Sequence, residues 1–287
     1  MSVYVLSLVL TAAILHASWN LLSKKTQGKT PYIWLMYVAS NLVYLPMLLF
    51  TIKQGDTIYS PPLFWFSLSS AVLHLGYYIV LQKGYRSAEL SVVYPLARGS
   101  GPLFSSIAAI AFLHEPFRLT ATVGLFLIIA GVLLITGLSV KKENNRQLMT
   151  GITYGVLTGL FIALYTFNDT IAVKSYAVAP LPLTLGTNFL GAVLLSPFIL
   201  AKKDELKREL KLHKWIILAI AILSPAAYIL VLEALKYAPL TVVAPARETS
   251  ILFGVFMGSR VFHEKDGRRR LIASGLILSG IVALSLS

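Results

Sequence analysis

The sequence predicts an all-α integral membrane protein with ten transmembrane helices, arranged as two inverted repeats of five. Three observations carry that expectation. Hydrophobic residues make up 56% of the 287 positions and charged residues only 13%, where a soluble domain carries about 25% charge. The apolar residues fall in runs of about 20, the length that crosses roughly 30 Å of hydrocarbon. The third is a residue-by-residue likeness between the first and second halves.

Ten apolar segments follow along the chain, at 3–22, 32–52, 63–83, 89–112, 119–139, 150–172, 179–200, 214–234, 240–262 and 270–286. The first has no basic residues before it and no small-residue cleavage site after it, so it reads as a span and not as a removable signal peptide. Connections are short and polar. The longest, Lys202 to Lys214, alternates in charge as a surface helix does.

The net charge of +13 is a topology signal by its placement, and nucleic acid is not an expected partner. Nineteen of the 25 basic residues lie in loops after odd-numbered spans, four lie on the opposite side, and Arg98 and Arg247 lie within spans. Cytoplasmic loops collect Lys and Arg. The count therefore places the odd-numbered loops in the cytoplasm and both termini outside, in a multi-pass protein of the plasma (inner) membrane.

The repeat shows in the third and eighth spans, where Trp65 matches Trp215 and Tyr78 matches Tyr228 at an offset of 150. The offset continues from Val92-Val93-Tyr94-Pro95 to Val242-Val243-Ala244-Pro245. At 149 it pairs Arg98 with Arg247, His114-Glu115 with His263-Glu264, and Gly131 with Gly280. A looser register pairs Asn20 with Asn168, and the second and seventh spans show none. The expected units are residues 1–140 and 147–287. Five spans each is an odd number, so the second unit must sit upside down relative to the first, as in many secondary transporters.

Two stretches, VVYPLARGSGPLFSSIAAIAFLHEPFRLTATVGLFLIIAGVLL and EALKYAPLTVVAPARETSILFGVFMGSRVFHEKDGRRRLIASGLILSGIVAL, carry a family resemblance. Each has a mid-span Pro, a Glu closing the span (Glu115, Glu264) and a Gly-rich span after it. In these features the whole chain resembles the EamA-type members of the drug/metabolite transporter superfamily. The resemblance implies ten helices around a central cavity lined by spans 1, 3, 4, 6, 8 and 9. It also implies carriage of small metabolites, inward or outward. Many members of that family keep both termini in the cytoplasm, whereas the charge count here points the other way.

The polar residues inside the spans are the candidates for function. Arg98 lies roughly 13 Å into its span at 1.5 Å per residue, and Arg247 and Glu248 lie comparably deep. A charge at the bilayer centre costs about 2.5–3.5 kcal/mol on insertion scales, so these groups need a partner or a wet cavity. The arginines suit an anionic substrate group and Glu248 a proton or cation; a structural ion pair between Arg98 and Glu248 is the equal alternative. Pro95 and Pro245 each remove a backbone donor just before an arginine, which suits a flexible joint.

On the first span His16, Trp19, Asn20 and Ser23 share one helical face; Phe161, Tyr165, Asn168 and Asp169 do so on the sixth. His74, Tyr78 and Gln82 form a third such face, with Tyr228 the repeat partner of Tyr78. Aromatic and amide faces suit a small polar solute or plain interhelical hydrogen bonding. The cavity reading is preferred for Trp19, Asn20 and Tyr78, and not for His74. Asp169 is a second candidate for proton or ion coupling. Gly151, Gly155 and Gly159, and Gly254 and Gly258, have the spacing of close helix packing.

Other chemistry is excluded by motif. Without cysteine there is no disulfide, thiol catalysis or Cys-held metal. His114-Glu115 and His263-Glu264 lack a second His four residues on, so neither is a zinc site. No GxxxxGK[ST] exists, so no nucleotide drives the protein. No cofactor or metal is expected, and no enzyme activity. The leading expectation is a secondary active transporter of a small polar metabolite working by alternating access, as a monomer or homodimer in the lipid bilayer. A flippase for a lipid-linked intermediate is the alternative, and a membrane-embedded enzyme a more distant one.

Overall fold

Apolar runs of this length must satisfy their backbone internally in lipid, which leaves the α-helix as the economical solution. The computed structural model describes residues 1–23, 30–53, 60–88, 90–116, 118–136, 145–250, 253 and 267–286, and they are helical almost throughout. The helices are α1 (Val3–Ser23), α2 (Thr30–Lys53), α3 (Pro61–Ser87), α4 (Leu90–Phe112) and α5 (Leu119–Thr136), then α6 (Asn145–Ser175), α7 (Pro180–Leu200), α8 (Lys203–Tyr237), α9 (Leu240–Arg247) and α10 (Gly267–Ser285). Six of them, α1, α2, α3, α6, α7 and α8, are long and apolar enough to cross a bilayer, and α5 has a shorter apolar stretch. Large side chains such as Leu42, Phe50, Trp65, Phe112, Phe198 and Trp215 are exposed. In water that surface would aggregate; in lipid it is the contact face.

Local chemistry sets the ends. Ser60 caps α3, its hydroxyl accepting from the Leu63 N–H at 3.3 Å, and Pro61 follows at the first position. α4 and α6 end in left-handed residues, His114 (φ 52) and Ala177 (φ 51). Around each, an N–H reaches six residues back, Glu115 to Ala109 and Val178 to Ala172, the arrangement that ties off orphan carbonyls. The His114-Glu115 pair thus ends one helix and turns Glu115 inward.

Two expectations take definite form. The charged stretch from Lys202 is helical: α8 starts at Lys203 and runs on through the apolar segment, with one non-helical residue at His213 (φ −125, ψ 16) marking a bend between the two. The ninth span is not one continuous helix. α9 stops at Arg247, and Glu248 and Thr249 form a tight turn with N–H groups bonded to Pro245 and Ala246 carbonyls. Its mate α4 passes position 95 without interruption. Pro46, Pro197 and Pro225 also lie inside continuous helices, so proline by itself does not cause the break. Gly254, Gly258, His263 and Glu264 lie outside the described residues.

Close contacts give the helix directions. Along α6, Gly151 meets Ala88 and Val92, Gly155 meets Leu96 and the Val93 carbonyl, and Gly159 meets Ser100 and Gly101; α4 and α6 run parallel. A methyl at Gly155 would stand 2.7 Å from Leu96 Cβ, so the glycines let the two backbones approach. α3 crosses α6 antiparallel, with Ser69 by Asn168 and Gly76 by Phe161. α5 and α10 are antiparallel too: Gly131 abuts Ala273 and Ile277, while Gly280 abuts Gly124 and Ile128. α1 and α2 pack on α8, and α3 on α7. The largest buried cluster joins residues of α1, α5, α8 and α9, among them Val9, Ile128, Leu232 and Val243.

Candidate functional site

Two polar groups sit inside this apolar packing. The first joins α3, α6 and α8 around Asp169, which is 0% exposed. Its Oδ2 accepts from Ser70 Oγ at 3.0 Å and from the Tyr228 hydroxyl, and its Oδ1 accepts from Asn168 Nδ2 at 2.8 Å. Asn168 also donates to the Phe66 carbonyl at 3.1 Å and accepts from Ser69 Oγ at 2.7 Å. His74 Nδ1 lies 2.8 Å from the Ser70 carbonyl. A carbonyl only accepts, so Nδ1 carries the proton. The imidazole stacks on Tyr165 with centroids 4.0 Å apart, and Tyr228 and Tyr77 stand edge-on nearby. Among the described residues no cation lies within ion-pair distance of Asp169.

The second group lies between α4 and the end of α9. Arg98 Nη2 is 2.9 Å from Glu248 Oε2 and donates to Ser250 Oγ at 3.1 Å. This is the partnership that the depths of the two residues predict. The turn after Arg247 brings Glu248 across to α4. Arg247 itself is 5% exposed, its Nε has no hydrogen-bond partner, and no ion pair holds it among the described residues. It is within electrostatic reach of Glu248, of His16 on α1, of His74 on α3 and of Tyr228 on α8.

The structure therefore brings together Arg98, Glu248, Arg247 and His16, and beside them Tyr165, Asn168, Asp169 and Tyr228. Others stand apart. Asn20 is exposed and its amide donates to the His16 carbonyl of its own helix at 2.9 Å. Trp19 packs against the cluster of Tyr32, Leu35, Ile217 and Ile220, edge-on to His16 at 5.0 Å. Tyr78 lies within reach of Tyr37 and Arg86. His74, discounted from the sequence, is at the centre of the first group. Ser69, Ser70 and Ser250 carried no sequence signal, although Ser70 stands one helical turn before His74.

One acidic residue closes the end of the bundle. Glu115, in the loop after α4, accepts the Leu240 N–H at 2.7 Å, the Thr241 N–H at 3.0 Å and the Thr241 hydroxyl at 2.9 Å. Lys174 at the end of α6 donates to it at 3.1 Å. Burial pushes its carboxyl up, but these backbone bonds and the ammonium outweigh that and hold it below the usual carboxylate range. Both oxygens face the N-terminus of α9, where the helix dipole favours negative charge.

Apolar helices around a buried charged and aromatic interior define a multi-pass membrane protein. Two segments, residues 3–137 and 149–286, match the model of the EamA-like transporter family. The chain belongs to that family, which is one of transporters and not of enzymes. A solved crystal structure is similar over 100% of this chain and 98% of its own, with a TM-score of 0.78 at 14% identity; that likeness concerns the fold.

Proposed function

We propose that this protein is a secondary active transporter of a small polar metabolite, working by alternating access between two inverted repeats, residues 1–140 and 147–287. The carrying observation is the convergence of ionisable and aromatic side chains from α1, α3, α4, α6, α8 and α9 in the interior of an apolar bundle. Buried charges in lipid are expensive and mark transport paths.

The inversion is supported by the contacts of α5 and α10. At an offset of 149, Gly131 corresponds to Gly280, Ile128 to Ile277 and Gly124 to Ala273. Gly131 touches the second-half residues that correspond to those touched by Gly280 in the first half. Such reciprocity on antiparallel helices is what a two-fold axis in the membrane plane produces. The exchange holds elsewhere: α3 packs on α6 as α8 packs on α1, and α2 on α8 as α7 on α3. Ten spans and termini outside the plasma membrane complete the reading.

Glu248 is engaged by Arg98, which leaves Asp169 as the coupling group for a proton. Purified protein in sealed proteoliposomes should take up a solute from a metabolite panel with saturation, and the uptake should collapse when the membrane is made leaky. Uptake no greater than in protein-free vesicles, for every solute and either imposed proton gradient, would sink the reading.

A further inference from the structure

We infer that the interior holds an anion-binding site centred on the Arg247 guanidinium, and that the cargo is a small organic anion carrying a single carboxylate. The transport reading enters only in the word cargo; the site itself stands on four observations.

Arg247 is 5% exposed, and no carboxylate lies within ion-pair distance of it among the described residues. Its Nε is buried without a hydrogen-bond partner. A guanidinium has five donors in a fixed fork and cannot shed its charge. Left empty at that depth it would be a buried cation with no ion pair of its own, so a ligand or water must meet it.

The repeat explains why Arg247 is left over. Arg98 and Arg247 are equivalent at an offset of 149, and Arg98 is neutralised by Glu248. The residue equivalent to Glu248 is 99, a glycine. The first half therefore offers no carboxylate in the mirrored place, and Arg247 keeps no ion pair of its own among the described residues.

One guanidinium without an ion pair matches the single charge of a carboxylate better than the two of a phosphate ester. The fork of the guanidinium matches a carboxylate with two parallel hydrogen bonds. The surroundings agree. His16, Tyr228 and His74 lie within electrostatic reach of Arg247, and His74 is stacked on Tyr165.

The test uses the full-length purified protein in detergent, without any transport measurement. Thermal unfolding is followed with three matched pairs, lactate and lactamide, benzoate and benzamide, succinamate and succinamide, in wild type and in Arg247→Gln and Arg247→Lys. At least one carboxylate should raise the wild-type Tm by roughly 3 °C, while its amide does not. Arg247→Gln should abolish that difference, and its own Tm without added anion should equal or exceed that of wild type, because an unpaired buried cation has been removed. Arg247→Lys should keep the charge selectivity with a smaller shift, as a point charge lacks the fork. The inference is overturned if no carboxylate stabilises wild type, if amides act as carboxylates do, or if the shift survives in Arg247→Gln. It is equally overturned if Arg247→Gln lowers the anion-free Tm, which would make Arg247 a structural residue. A protein that binds carboxylate through Arg247 yet moves no solute would refute transport and leave this site standing.

Discussion

Arg98 on α4 and Glu248 at the end of α9 form an ion pair of 2.9 Å, with Glu248 1% exposed. Removing one member of a buried pair leaves the other uncompensated, at a cost of about 3–5 kcal/mol, while removing both can cost far less. Arg98→Gln or Glu248→Gln alone should therefore lower stability markedly, and the double variant should recover much of it. Thermal or denaturant unfolding in detergent supplies the double-mutant cycle, and strictly additive losses would show that the two do not act as a pair.

The Glu115 clamp carries a pH dependence. Its carboxyl is held below the usual range in the folded protein, and an unperturbed Glu titrates near about 4.3. A depressed folded value gives stability that is fully present above the unfolded value and is lost as pH falls through the folded one. Glu115→Gln should cost about 1–2 kcal/mol at neutral pH, since charge-assisted bonds to Leu240, Thr241 and Lys174 weaken. The gap between wild type and variant should close below about pH 4. A gap that stays constant from pH 7 to pH 3 would mean the charge contributes nothing.

What the sequence made legible was whatever a membrane forces into composition. Helix positions among the described residues, the surface stretch before the eighth helix and the Arg98–Glu248 pairing all follow from the cost of charge and unpaired backbone in lipid. What it hid was rotation about each helix. Asn20 and Asn168 match in the looser register, yet Asn168 bridges α3 and α6 while Asn20 bonds its own helix. Neighbours on a helix point about 100° apart, so periodicity names a face but not its partner. The break after Arg247 was equally hidden, because prolines of the same kind lie inside α2, α7 and α8 without ending them.

The reciprocal glycines test the inverted arrangement. A methyl on Gly131 would lie 2.9 Å from the Ala273 carbonyl, and one on Gly280 would lie 2.7 Å from the Gly124 carbonyl. Gly131→Ala and Gly280→Ala should each destabilise by about 1–3 kcal/mol, and by similar amounts. Gly275 on the same helix has nothing within 4 Å of that position, so Gly275→Ala should be neutral or stabilising by up to about 1 kcal/mol. Equal tolerance of all three in unfolding measurements would contradict the α5–α10 contact.

Orientation is tested by labelling, on a background free of native cysteine. Ser2→Cys should react with an impermeant maleimide in intact cells, and Lys207→Cys should react only after the membrane is opened. The reverse pattern would place the basic surface stretch of α8 outside and overturn the reading of the Lys and Arg bias.

Asp169 is the group whose substitution should separate coupling from binding. Its three donors, Ser70, Asn168 and Tyr228, are all neutral. The groups facing it from the packed helices are His74 on α3, Tyr165 on α6 and Tyr228 on α8, with Arg247 on α9 within reach of Tyr228 and His74 but not ion-paired to Asp169. The hydroxyls of Ser70 and Tyr228 can each turn from donor to acceptor. The network can therefore take up a proton on Asp169 and keep every hydrogen bond without moving a helix. Asparagine copies the shape of the protonated acid but cannot release a proton. Asp169→Asn should accordingly keep solute exchange between the two sides of a vesicle, and lose accumulation driven by an imposed pH gradient. Both are measured in the same proteoliposomes, alongside the thermal stability of the variant. Accumulation equal to wild type would exclude Asp169 as the coupling group. Loss of both exchange and accumulation at unchanged stability would reassign it to holding the solute.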